Sequence, residues 1–201
     1  MAEPVKDTPG AVGTQSDAEL VRRALANDSA AFEPLVRRYS DTIVRFSYHM
    51  VADFQAAEDI AQETFLKAFS HIGRLEDAAK FATWLYSIAR HLCLDWIRAR
   101  RSTVSMDALE SDGVEIPGGP GDGPERSVET GEIHGQVLAE LQRLRPDYRE
   151  ILLMKHVYEL SYREIGEVAG LSVSAVGEKL SRVRELLRKR LRRAAGSRAE
   201  G

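Results

Sequence analysis

The sequence predicts an all-α protein of two small helical domains joined by a flexible acidic linker. Three observations predict it. Apolar residues recur at three- and four-residue spacing in both halves of the 201-residue chain. No segment sustains the alternation of a strand, and hairpin turn signals are missing. Eight Gly and Pro residues crowd residues 113–124, a density that no helix or central strand accommodates. A hydrophobic content of 43% can fill a core, and a single cysteine excludes a disulfide framework or a cysteine-rich zinc site.

Taken in order, residues 1–15 read as a disordered N-terminus without the basic-then-apolar order of a signal peptide. A helical domain follows over 16–101. Ser16 and Glu19 form a capping box before Leu20, Val21, Ala24 and Leu25. Asn27 and Asp28 break that helix, and Ser29 is placed to cap the next, which carries Phe32, Leu35, Val36 and Tyr39. Ile43, Val44, Phe46 and Val51 continue its pattern. A third helix presents Ala57, Ile60, Ala61, Thr64, Phe65 and Ala68 on one face, and a fourth presents Leu85, Ile88, Ala89, Leu92 and Trp96. Residues 102–130 form the linker, 131–195 a second helical domain and 196–201 a disordered tail. In the second domain Leu138, Leu141, Leu144, Ile151, Leu152 and Val157 mark the first helices.

The net charge is −3, from 28 basic and 31 acidic residues, but it is unevenly spread. Residues 104–130 hold seven acids and one base, whereas residues 179–198 hold nine bases and one acid. The first block is self-repelling and extended; the second points to a polyanion. Immediately before the basic block, Ser161 and Glu164 form another capping box. Ile165, Val168 and Ala169 face inward, Gly166 permits a close crossing, Gly170 supplies a left-handed turn and Ser172 caps the next helix. Val176, Leu180, Val183 and Leu187 complete the core side. This is the layout of a DNA-binding helix-turn-helix, whose second helix enters the major groove. Its outer side presents Ser174, Gly177, Glu178, Ser181 and Arg182, with Lys179 and Arg184 toward phosphates. Gly177 either admits DNA close to the backbone or is a tolerated weak spot.

Two further motifs carry a resemblance. Residues 57–69, AEDIAQETFLKAF, resemble the polymerase-binding helix of bacterial sigma factors. Residues 81–90, FATWLYSIAR, resemble their promoter-melting segment. With the helix-turn-helix, the chain resembles an extracytoplasmic-function (ECF) sigma factor, of the sigma-70 family, from Asp17 to Arg193. The resemblance implies a sigma region 2-like bundle over 16–101 and a region 4-like helix-turn-helix domain over 131–195. It implies that Glu58, Asp59, Gln62, Glu63 and Leu66 dock on the β′ clamp helices of core RNA polymerase, with the β flap as a further partner surface. It implies that the aromatic–basic segment captures unpaired bases of the −10 element through Trp84, Tyr86, Arg90, His91, Arg98, Arg100 and Arg101. Trp84 and Trp96 fit a stacking role or a core role equally. The −35 element falls to Ser172, Ser174, Gly177, Glu178, Lys179, Ser181, Arg182 and Arg184. His91 stands where many relatives have Asn, and the recognition run Ser174–Lys179 departs from the family's usual sequence, which puts the −35 sequence in question. Relatives thread the acidic linker through the RNA exit path, so here it is either an RNA mimic or a solubilising spacer.

The implied partners are core polymerase, promoter DNA and an anti-sigma factor, in a cytoplasmic protein with no membrane insertion. No cofactor or metal is expected: His49, His71, His91, His134 and His156 form no zinc motif, and no nucleophile elbow or phosphate loop is present. Cys93, between Leu92 and Leu94, reads as a buried small hydrophobe. The chain is therefore expected to be no enzyme. The competing binding-module reading is a stand-alone helix-turn-helix regulator, which would need neither the acidic helix nor the aromatic–basic segment. A degenerate sigma-like protein acting through protein contacts is the third.

Overall fold

The computed structural model describes residues 15–105, 135 and 137–199. Most of the expected N-terminal disorder (1–15) and of the acidic linker (102–130) lies outside the described residues. Every regular element among the described residues is helical. Seven helices bear on the function: α1 Asp17–Leu25, α2 Phe32–Val51, α3 Phe54–His71, α4 Phe81–Ser105, α5 Pro146–His156, α6 Tyr162–Ala169 and α7 Val173–Ala199. A short helical stretch over 137–142 precedes α5.

Local chemistry sets the boundaries. Ser16 caps α1, its hydroxyl accepting from the Glu19 amide at 3.3 Å. Asn27 takes φ 69°, which ends α1. Ser29 does not cap α2. It lies inside a 3-10 turn, Ser29–Ala31, and α2 starts without a side-chain cap. Asp53 caps α3 through the Ala56 amide, and Asp77 caps the 3-10 turn Ala78–Lys80 that leads into α4. Both ends of the anticipated spans run longer as helix. α4 continues to Ser105, into the segment read as linker, and α7 continues to Ala199, into the segment read as tail. The α7 extension is Gly196, Ser197, Arg198 and Ala199, and with no proline among them the helix runs on.

Phe46, Leu35, Ile43, Met50, Phe81 and Leu85 are fully buried at the centre of the N-terminal bundle. Burial of each large side chain contributes about 1.5–3 kcal/mol. The buried stripe of α3 is the anticipated one: Ala57, Ile60, Ala61, Thr64, Phe65 and Ala68. On α4 the buried line is Phe81, Leu85, Ala89, Cys93 and Ile97, while Ile88, Leu92 and Trp96 are only partly covered. In the C-terminal half Ile151 and Leu144 are buried as expected, together with Leu153 and Met154, but Val157 is exposed.

The two halves pack on each other, and α2 receives its C-terminal cap across that interface. Arg149 of α5 is 1% exposed. Its guanidinium donates to the carbonyls of Leu141 and Gln142 at 2.8 Å, of Leu144 at 3.1 Å and of Met50 in the last turn of α2. Gln142 donates to the neighbouring His49 carbonyl at 3.0 Å. The last carbonyls of a helix lack intrahelical donors and sit at the negative end of its dipole, which suits a buried cation.

Candidate protein-docking and nucleic-acid surfaces

The outer face of α3 is built by elimination. Six positions go to the core, leaving Glu58 half-buried and Asp59, Gln62, Glu63 and Leu66 exposed. Leu66 is 68% exposed and Phe69 47%, beside the Glu63–Lys67 ion pair at 2.9 Å. An apolar anchor ringed by carboxylates suits a basic partner surface with an apolar socket. A groove of about 670 Å³ between α3 and α4 continues this face, lined by Asp59, Glu63, Asp95 and Trp96 among others.

Along α4 the anticipated nucleic-acid residues divide. Arg98 and Arg100 are exposed; Arg98 pairs with Asp95, and Arg100 lies over the Trp96 ring at 5.1 Å and 3.7 Å from Asp53. Arg101 shares the helix. His91 is exposed, with Nδ1 2.6 Å from the Ser87 carbonyl. That contact makes Nδ1 the donor and leaves Nε2 outward. Trp84 is half-buried, its ring 6.2 Å from Phe81. Tyr86 is buried, packed edge-on against Phe46 at 5.5 Å and beside Tyr158 at 5.3 Å, so it offers no open ring face in this arrangement. Burial pushes its hydroxyl pKa far above the usual range. Arg90 is mostly covered and faces Glu150 of α5.

The helix-turn-helix has the geometry its spacing implies. Ser161 and Glu164 form a complete capping box at the start of α6. Gly170 takes φ 68° in the turn. A Cβ on Gly166 would stand 2.6 Å from the Leu171 carbonyl oxygen, so only glycine fits there. Ser172 caps α7 by accepting from the Ala175 amide at 3.2 Å. Val176, Leu180 and Val183 are buried, and Ser174, Glu178, Ser181, Arg182 and Arg184 are exposed on the outer side. Gly177 is half-buried, and a Cβ there would meet Tyr162 at an ordinary 3.7 Å. Lys179 is engaged internally: its ammonium is 2.5 Å from Asp147 and 5.1 Å from the Tyr148 ring centre. Partial burial opposes ionisation of Asp147, but Lys179 and Arg145 outweigh it and hold the carboxyl below its usual range.

Sequence reasoning passed over Arg149 and Glu150. The signal was present: both lie one turn before Leu153 and Met154 on a short helix that is covered nearly all round, where charges are unexpected. Among the described residues there is no group of three or more His, Cys, Asp or Glu placed to hold a metal, and no helix long and apolar enough to cross a membrane. Cys93 is buried, and burial raises its thiol pKa to about 12.

Residues 35–103 match the family model described as sigma-70 region 2, and residues 134–187 the one described as sigma-70, region 4. The chain is 34% identical to the ECF RNA polymerase sigma factor SigW of Bacillus subtilis, over 86% of this chain and 95% of that protein. It is 32% identical to the RNA polymerase sigma-H factor of Pseudomonas aeruginosa, over 88% and 94% respectively. Among solved structures, CnrH in complex with the cytosolic domain of CnrY superposes with a TM-score of 0.66 at 21% identity, covering 87% of this chain and 96% of that one. The sigma factor RpoE in complex with the anti-sigma factor NepR from Bartonella quintana gives 0.61 at 21% identity, over 80% and 96%.

Proposed function

The chain belongs to the ECF sigma factors of the sigma-70 family, and from that premise we infer that it binds core RNA polymerase and directs promoter-specific transcription initiation. It is a transcription initiation factor whose partners are core polymerase, promoter DNA and an anti-sigma factor. Within that role, α3 docks on the polymerase clamp through Glu58, Asp59, Gln62, Glu63 and Leu66. α4 takes the melted −10 strand, with Arg98, Arg100 and Arg101 on the backbone. The outer side of α7 reads the −35 element through Arg182, Glu178 and Ser181, with Arg184 on phosphates. The polymerase performs the chemistry, and the chain works in the cytoplasm with no catalytic step of its own.

One observation carries the polymerase reading over that of a stand-alone DNA-binding regulator. A helix seated by six buried side chains leaves a leucine 68% exposed among carboxylates. A duplex-binding regulator has no use for such a face, because carboxylates repel phosphates. Energetically, strand capture offsets the unstacking of bases by stacking on protein and by neutralising phosphates. Run-off transcription with purified core polymerase and genomic promoter fragments tests it. Discrete promoter-specific transcripts are expected on adding the chain. Their absence, together with retarded migration of duplex DNA by the chain alone, would establish the stand-alone regulator instead.

A further inference from the structure

The second helix of the helix-turn-helix is longer than the motif needs. α7 has 27 residues, about 40 Å of helix. Among the described side chains Val183 is the last of α7 to be fully buried, so the packed motif ends in its proximal half. Composition changes near that point. Residues 173–185 hold three basic and two acidic residues, whereas residues 186–199 hold six basic residues and no acid. The distal half is nevertheless tied to the fold. Arg190 donates from Nη2 to the Arg143 carbonyl at 3.2 Å and stands 3.8 Å from Glu140, which holds it against the helix over 137–142. Its neighbours Arg188 and Lys189 are exposed.

Eleven residues make about three turns of helix. Lys189, Arg192 and Arg193 therefore repeat, about 16 Å further along, the angular positions of Glu178, Ser181 and Arg182, the residues assigned to the −35 bases. A mixed polar trio is replaced in phase by three cations. The major groove is about 12 Å wide and winds around the duplex, and a helix of about 40 Å does not wind with it. Where the helix leaves the groove, its outer side crosses the bordering sugar–phosphate strand, and phosphates rather than base edges face it. We propose that the distal half of α7 is a basic arm, a second nucleic-acid site that grips the phosphates of duplex DNA beside the −35 element without regard to sequence.

This rests on the reading of α7 as the −35 helix. Within the chain the arm has only a weak competitor for phosphate. Glu185 pairs with Lys189 at 3.0 Å, with both side chains well exposed. A pair of that kind contributes at most about 1 kcal/mol, whereas a phosphate contact also releases condensed counterions from the duplex. The anchoring of Arg190 fixes the direction of the arm before DNA arrives, so little ordering remains to oppose binding.

The test uses the full chain and a labelled duplex of about 40 base pairs of mixed sequence, titrated by fluorescence anisotropy from about 50 to about 200 mM salt. Lys189→Gln/Arg192→Gln/Arg193→Gln should weaken binding at least about tenfold at the low-salt end. It should also make the slope of log K against log salt shallower by about 2–3, since each phosphate contact supplies about 0.9. Arg22→Gln/Arg37→Gln/Arg45→Gln, a control of equal net charge with exposed sites on α1 and α2, should stay close to the parent. A triple variant that binds like the control overturns the arm, as does a parent that fails to bind the duplex. So does a triple variant that loses a single-stranded RNA of equal length while keeping the duplex. Should the triple variant lose helix by circular dichroism, Lys189→Gln alone should lower the slope by about 0.9, and an unchanged slope would overturn the arm equally. Run-off transcription separates two failures. The triple variant should lower the yield from every genomic promoter fragment by a similar factor, whereas Arg182→Ala should change their order. A changed order beside a triple variant that matches the control removes the arm alone; an unchanged order removes the −35 reading and the place of the arm with it.

Discussion

Gly166 and Gly177 lie on the same helix-turn-helix, yet they answer to different constraints. At Gly166 a methyl group would sit 2.6 Å from a backbone oxygen that cannot step aside. Gly166→Ala should destabilise the C-terminal half by about 1–3 kcal/mol through overpacking. At Gly177 the nearest atom is a ring edge at 3.7 Å, so Gly177→Ala should stabilise it by about 0.5–1 kcal/mol through helix propensity. Urea unfolding of both variants checks the opposite signs. The role of Gly166 was legible because spacing within one motif fixes it. The engagement of Lys179 was not, because its partner Asp147 is 32 residues earlier and only folding brings the two together.

At the level of elements, α3 was the most legible part of the chain. Its six buried positions follow one helical stripe, and what remains is the docking face. Charge reversal there, Asp59→Lys with Glu63→Lys, should cut co-purification with core polymerase at least about tenfold, by analogy with charge pairs at other interfaces. The helical circular dichroism signal should be unchanged, since both positions are exposed. Undiminished co-purification would count against the docking assignment. α4 was less legible. Its apolar residues are numerous enough to support two adjacent stripes, and only packing against α2 and α3 chose the line through Cys93 and Ile97. Tyr86 falls on the covered side for the same reason.

Across the whole molecule, the uneven charge announced a nucleic-acid partner more clearly than the near-zero sum did. What pattern could not convey was that the halves close on one another, since their contacts lie 60 residues or more apart in sequence. Arg149 is the pivot of that closure. Arg149→Met removes the side-chain donor of the Met50, Gln142 and Leu144 carbonyls, while the Leu141 carbonyl keeps the Leu144 amide, and should cost about 3 kcal/mol or more in total. It should also split the calorimetric unfolding of the chain from one transition into two, because the end of α2 no longer depends on α5. A variant that melts as one unit at the parental temperature would contradict this.

The cap on α2 has a consequence in time. Its donor, Arg149, is made 99 residues after its acceptor, Met50. At ribosomal speeds of about 5–20 residues per second, some 5–20 s separate the two. During that interval the His49 and Met50 carbonyls near the end of α2 lack the side-chain donors that later reach them from Gln142 and Arg149. Each nascent chain therefore passes through a stage in which the N-terminal bundle is complete while Arg90 has yet to meet Glu150.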